Sequence, residues 1–369
     1  MKNQTMKSIR QIIFAACAAF LQQAFGAGFV DPLDTLAQIS PLANRSLMQS
    51  VTSAGQRLVA AGQRGRIIVS EDGGRSWTQS PVPVGSDLTA IYFVNDRQGW
   101  AVGHDGVILH SADGGSTWML QLDGRKANEL LLAAMQLRAA AEPAATAAQR
   151  LLTEAQRYRE QGADKPFLDI WFADERTGYA VGAYNLIFRT DDGGTTWLPW
   201  FDRTENPKLF NLYAIRPAAG GLYIAGEGGL VLKLDVAAGK FKAATLPYKG
   251  SFFGVADAGS AVLVFGLRGN AFRSDDGGRS WTRVAAGLPA SIVAGVSIPD
   301  GAVVLADAGG RIVASVDAGK TFVPVPLKTL VPLAGIGLAG KGQLALAGLR
   351  GVMVVDIALM DRRISNGQR

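Results

Sequence analysis

The 369-residue sequence has a single cysteine, Cys17, and only two histidines, His104 and His110. One cysteine excludes a disulfide framework and a thiolate zinc site, and two histidines leave little for an imidazole cluster. No metal and no cofactor is expected. Charged residues amount to 18% and the formal net charge is only +6, so tight nucleic-acid binding is not expected either. Hydrophobic residues make up 48%, enough to bury a core. Glycine, in contrast, is abundant at 45 residues, which calls for an architecture of many tight turns.

Long hydrophobic runs are missing as well. The longest N-terminal one, residues 12–21, is too short for a bilayer span of about 20 residues. Lys2, Lys7 and Arg10 precede it without any acid, and Ala24-Phe25-Gly26-Ala27 follows. That order of basic region, short apolar core and small residues predicts a secretory signal peptide over residues 1–27. Cys17 would leave with it. The mature chain would carry 34 basic and 31 acidic residues, no cysteine and no integral membrane span. An exported, periplasmic protein, monomeric on its own, is the expectation.

A repeat organises the rest. G-x-x-G, an apolar run and then S/T-x-D-G-G-x-S/T-W recurs, first from Gly62 to Trp77 and next from Gly103 to Trp118. Further copies run from Gly182 to Trp197 and from Gly266 to Trp281. The copies from Gly226, Asp307 and Gly348 are degenerate; the second of these keeps Asp317 and Phe322. The starts are spaced by 41, 79, 44, 40, 41 and 41 residues, the outlier being one repeat plus an insertion. Each repeat holds four short strand signals, in the second at 88–93, 99–103, 107–111 and 117–122. Four strands in about 43 residues, seven times, predict an all-β, seven-bladed β-propeller spanning residues 28–369. The last repeat has text for three strands only. Residues 28–42, or else the tail from Ala358, are expected to supply the fourth.

In the D-x-G-G-x-x-W box, Asp72, Asp113, Asp192, Asp276 and Asp317 would accept from following backbone amides while glycines take positive φ. Trp77, Trp118, Trp197 and Trp281 would wedge buried area against the blade. These are structural roles, and no catalytic residue is assigned. The box resembles the Asp-box, or bacterial neuraminidase repeat, of sialidases, where it lies away from the active site. A sialidase-like hydrolase is the alternative. However, the sequence has no R-I-P segment, Ile215-Arg216-Pro217 being in the wrong order and the wrong blade. A carbohydrate-binding propeller is a third reading.

With the repeats in place, the chain resembles the photosystem II stability/assembly factor family, most closely over Leu88-Thr89-Ala90-Ile91-Tyr92-Phe93 and Gly99-Trp100-Ala101-Val102-Gly103-His104-Asp105-Gly106. The resemblance implies a non-catalytic scaffold for assembling membrane protein complexes, whose partner is a membrane protein or its exported domain. In photosynthetic members an arginine-rich patch contacts a reaction-centre subunit, and the compartment would be lumen-like. Relatives in non-photosynthetic bacteria often accompany exporters of the resistance-nodulation-division type.

Strand order puts the G-x-x-G turns and the blade connectors on one face and the Asp-boxes on the other. The third turn residues include Arg64, Asp105, Tyr184, Arg268 and Arg350, with Arg66 and Arg311 close by and His104 next to Asp105. The arginines form a candidate cationic sector for an acidic partner. The insertion, about residues 125–165, changes to Ala, Leu, Arg, Glu and Gln. Leu130, Ala134, Leu137 and Ala141 recur at helical spacing, as do Leu151, Ala155 and Tyr158. Pro143 divides it into a helical hairpin, which either packs on the propeller or docks a partner.

Overall fold

A computed structural model describes residues 30–298, 301–340 and 342–357. The predicted signal peptide and the tail from Ala358 lie outside the described residues. Seven antiparallel sheets follow one another along the chain, six of four strands and one of three. Their innermost strands are Met48–Ala54, Leu88–Phe93, Phe167–Phe172, Leu212–Ala218, Phe252–Asp257, Ile292–Ile298 and Leu333–Leu338. The innermost strand of blade 7 packs on that of blade 1, which closes the ring. This is the all-β, seven-bladed propeller that the repeat spacing predicts.

One turn geometry explains the spacing. In every blade a β-bulge interrupts the pairing of the first and second strands, opposite the residue that opens the strand-2 to strand-3 turn. The residue after it donates its amide to the carbonyl just before the innermost strand: Gln63 to Leu47, His104 to Asp87, Ala183 to Pro166, and so on through Leu349 to Pro332, at 2.8–3.3 Å. The carbonyl lies so close that a Cβ on Gly62 would sit 2.3 Å from the Leu47 oxygen. Six blades therefore use glycine there. Blade 6 uses Asp307, and its turn is remodelled accordingly.

The Asp-boxes close the opposite hairpins. Asp72 Oδ1 accepts from the amides of Arg75 (3.0 Å) and Ser76 (2.9 Å), and Oδ2 from the Ser76 hydroxyl (2.6 Å). Asp113, Asp192, Asp276 and Asp317 repeat the carboxylate–Ser/Thr pairing. Trp118, Trp197 and Trp281 are buried, with the indole N–H of Trp118 and Trp281 on the box glycine carbonyl. Two features differ from the expectation of equivalent, buried tryptophans. Trp197 Nε1 is buried without a partner among the described residues. Trp77 is only half-buried, because each box packs on the preceding blade and blade 1 follows blade 7, whose sheet has three described strands.

Residues 30–42 do not complete blade 7 as expected. Asp31 caps a short turn, Pro32–Asp34, and Ala37 N donates to Val82 O at 3.0 Å. Burial of Leu33 and Ala37 beside Val82 and Val84 pins the segment along blade 1 instead.

The insertion forms two helices, α1 (Gly124–Ala141) and α2 (Thr146–Gln161). The buried hydrophobic residues of α1 are Ala127, Leu131, Leu132, Met135 and Ala139; of the expected stripe, Leu130 and Ala134 are half-buried against the same core, whereas Ala141 and Leu137 are exposed, Leu137 by 75%. The packed face is thus centred on Leu131 and Met135 with Leu130 and Ala134 at its margin, and Arg138 pairs with Asp202. Helix α2 buries Ala155 and Tyr158 as predicted, with Leu151 half-buried. Tyr158 packs edge-on to Phe201 at 5.8 Å and donates to the Tyr184 carbonyl at 2.9 Å. No described helix is long and apolar enough to cross a membrane.

Candidate partner-binding face

The connectors, the hairpin and the strand-2 to strand-3 turns share one face. In blades 1 to 5 each turn is a single helical turn whose middle residue is left-handed: Arg64 (φ +56°), Asp105 (+57°), Tyr184 (+52°), Gly228 (+64°) and Arg268 (+56°). The next position must also be left-handed and lies against the following connector; a Cβ on Gly269 would meet Leu288 O at 1.9 Å. Blade 3 fills it with Asn185, whose buried amide donates to Phe201 O at 2.8 Å.

Of the residues singled out in the sequence, Arg64, Arg268 and Arg350 are exposed, and none of them joins an ion pair among the described residues. Arg64 holds its place through its own amide, which donates to Asp87 Oδ1 at 2.7 Å, leaving the guanidinium to solvent. Arg350 differs from the other two in backbone. Blade 7 turns through a two-residue hairpin, Gly348 pairing with Gly351, and Gly351 takes the positive φ. Arg66 is half-buried with Nε unpartnered. Arg311 is exposed but lies 3.8 Å from the buried Asp307.

The remaining three differ in what holds them. Asp105 Oδ2 accepts from Ser86 Oγ at 2.6 Å, tying turn to connector. Tyr184 is 51% exposed at the foot of the hairpin. His104 is exposed, whereas His110 lies in a strand, Nε2 at 2.7 Å from Gln98 Oε1 and its ring 5.0 Å from Trp100. Burial lowers its pKa.

Sequence reading missed two features. Arg125 grips Asp31 and Asp34, each at 2.8 Å, and so clasps the N-terminal segment to the hairpin. The second is a cavity of about 140 Å³ at this end of the propeller axis, lined by all seven innermost strands. It contains an ion pair, Asp169 Oδ2 to Arg216 Nη1 at 2.5 Å. Burial pushes the Asp169 carboxyl up, against the pull of Arg216. Neither feature has a local signature, since its partners lie 47 or more residues apart.

Seven repeats, six of four described strands and one of three, with a saturated Asp-box in five of them, define an Asp-box propeller. The chain belongs to the family described as photosynthesis system II assembly factor YCF48, which matches residues 41–142 and 150–286. Among solved structures it is similar to YCF48 bound to D1 peptide (TM-score 0.62, 14% identity, 88% of this chain and 96% of that one). YCF48 from Cyanidioschyzon merolae is similar to the same degree (0.61, 16%, 87% and 97%). So is a streptogramin B lyase (0.63, 13%, 86% and 95%). At these identities the likeness is one of fold. No curated protein matches the sequence.

Proposed function

We propose that this propeller is a non-catalytic assembly factor, exported to the periplasm, which binds an acidic exposed segment of a membrane protein on its turn-and-connector face. Family membership supports the assembly role, and a propeller of the same fold has been solved with a D1 peptide bound. The observation that carries the binding face is the set of exposed, unpaired guanidiniums of Arg64, Arg268 and Arg350 on one side of the ring. Unpaired cations steer and orient an anionic partner while contributing little to folding. The Asp-box carboxylates, in contrast, are each saturated by their own turn, which supports a structural rather than a hydrolytic use.

The test is affinity capture from membranes of the source organism, with the native protein and an Arg64→Glu/Arg268→Glu/Arg350→Glu variant as baits. The native bait should retain a membrane protein in a salt-sensitive manner, and the variant should lose it at an unchanged Tm. Equal capture by both baits would remove the face from the reading. Turnover of a fluorogenic sialoside, abolished by one carboxylate substitution, would remove the non-catalytic role.

A further inference from the structure

The axis of the ring is filled unevenly. At the third position of the innermost strands, just past the bulge, blade 1 places Ser50 and blade 3 places Asp169, while the other five blades place alanine or glycine. Those small residues leave the cavity of about 140 Å³ unfilled. Two positions further along blade 4 stands Arg216, whose guanidinium reaches back to line the cavity and meet Asp169.

The pair is asymmetric. Asp169 is only 4% exposed, and its Oδ2, besides holding Arg216, accepts from Ile215 N at 2.8 Å. Arg216 keeps about a third of its side chain accessible. Its Nη1 alone serves Asp169, Ile170 O (3.3 Å) and Ile215 O (2.7 Å). Nε and Nη2 make no hydrogen bond among the described residues. An ion pair with only a structural role is readily replaced by apolar packing; this one instead holds a rigid donor fork beside an open space. A guanidinium with one edge fixed by a carboxylate presents its other edge for bidentate recognition of a second carboxylate. Nearby, Ser50 Oγ accepts from Ile91 N at 3.3 Å, which leaves its proton to donate. The mouth lies on the face of the unpaired arginines, where an anion is drawn in.

We propose that the axial cavity binds a short carboxylate on the open edge of Arg216, with Asp169 as the positioning residue. A space of this size holds several waters, which suits an acid of a few carbons or the last residue of a polypeptide. This site is separate from the surface arginines, and its test uses no partner protein.

The experiment is isothermal titration calorimetry on the mature protein. The probes are propionate, N-acetyl-Ala-Ala with a free carboxylate, and the same dipeptide as its C-terminal amide. At least one carboxylate should bind, and the amide should bind at least tenfold more weakly. Propionate alone binding identifies a free acid as the ligand class; the peptide acid alone identifies a chain end; both binding identifies the carboxylate itself. Two variants should abolish the signal. Asp169→Asn/Arg216→Gln removes both charges together. Ala334→Trp fills the cavity mouth without touching the pair, and it decides the matter should the double variant fail to fold. The proposal is overturned if neither carboxylate binds by 100 mM, if the amide binds as well as the acid, or if binding survives Ala334→Trp.

Discussion

Arg64, Asp105, Tyr184 and Arg268 hold φ between +52° and +57°, a region that costs an L-residue roughly 1–2 kcal/mol. Blade 4 meets the same demand with Gly228, so the turn itself does not need a side chain. Arg64→Gly and Arg268→Gly should relieve the strain, offset by roughly 0.5–1 kcal/mol of added chain entropy. The expected stability is equal to the native or slightly higher by urea denaturation, and a loss above about 1 kcal/mol would mean that the guanidinium packs on the ring. The Asp-box carboxylates act in the opposite sense. The Ser76 hydroxyl and amide hold Asp72 well below the usual carboxylate range, and the Ser280 hydroxyl and amide do the same for Asp276. Asp317 is lowered to about 2 although burial opposes it, chiefly through the Thr321 hydroxyl and amide. A carboxylate lowered on folding stabilises above its unfolded pKa near 4, and that contribution is lost as pH falls through the folded value. The Tm should therefore hold down to about pH 4 and then drop towards pH 2. Asp72→Asn should lower the Tm at pH 7 and flatten the acid limb, as a pH series of melting curves would show.

At the scale of the element, the box tryptophans are not equal. Trp118 and Trp197 lie under a complete preceding blade, whereas Trp77 faces blade 7 and stays half-buried. Trp118→Ala should cost about 3–5 kcal/mol by core precedent, and Trp77→Ala clearly less. Equal losses in chemical denaturation would show that blade 7 covers Trp77 as fully as the other blades cover theirs. The boxes and the G-x-x-G turns were legible in the sequence because each is closed by hydrogen bonds within a few residues, or to a carbonyl at a constant repeat offset. Their spacing therefore carries the number of blades and the face of each turn. The rotation of α1 was legible only in part: Leu130 and Ala134 do pack on the core, but helical spacing alone extends that stripe to Leu137, which is exposed, while Leu131 and Met135 share a cluster with Phe201. The path of residues 30–42 was hidden for a similar reason. Pro32, Leu33 and Ala37 read as strand or turn alike, and the choice rests on an apolar slot beside Val82 built elsewhere in the chain. Asp169 and Arg216 sit in strand text that reads as ordinary core, and their pairing exists only across two blades.

For the whole molecule, the hairpin poses the largest question, because it belongs to no repeat yet is built into the face. Its ends meet: a Cβ on Gly124 would lie 2.9 Å from Ala163 Cα, and Asn128 Nδ2 donates to Gly162 O at 2.7 Å. Removing residues 126–162 and bridging with a short Gly/Ser linker therefore leaves the connector from blade 2 to blade 3 unstrained. The deletion should still cost stability. Tyr158, fully buried on Phe201, and the Arg138–Asp202 pair would be lost, exposing apolar surface worth about 25 cal/mol per Å². All seven sheets pair without the hairpin, so the shortened protein should keep its β-sheet circular dichroism and a single cooperative melt at a lower Tm. A shortened chain that fails to melt cooperatively would make the helices part of the folding core. If it folds but loses the membrane protein retained by the native bait, while Arg125→Ala retains it, the helices themselves contact the partner. If binding survives the deletion and falls only with the arginine reversals and rising salt, as the Debye length shrinks from about 10 Å at 0.1 M to about 3 Å at 1 M, the partner sits on the turns alone and the hairpin is a lid over blades 2 and 3.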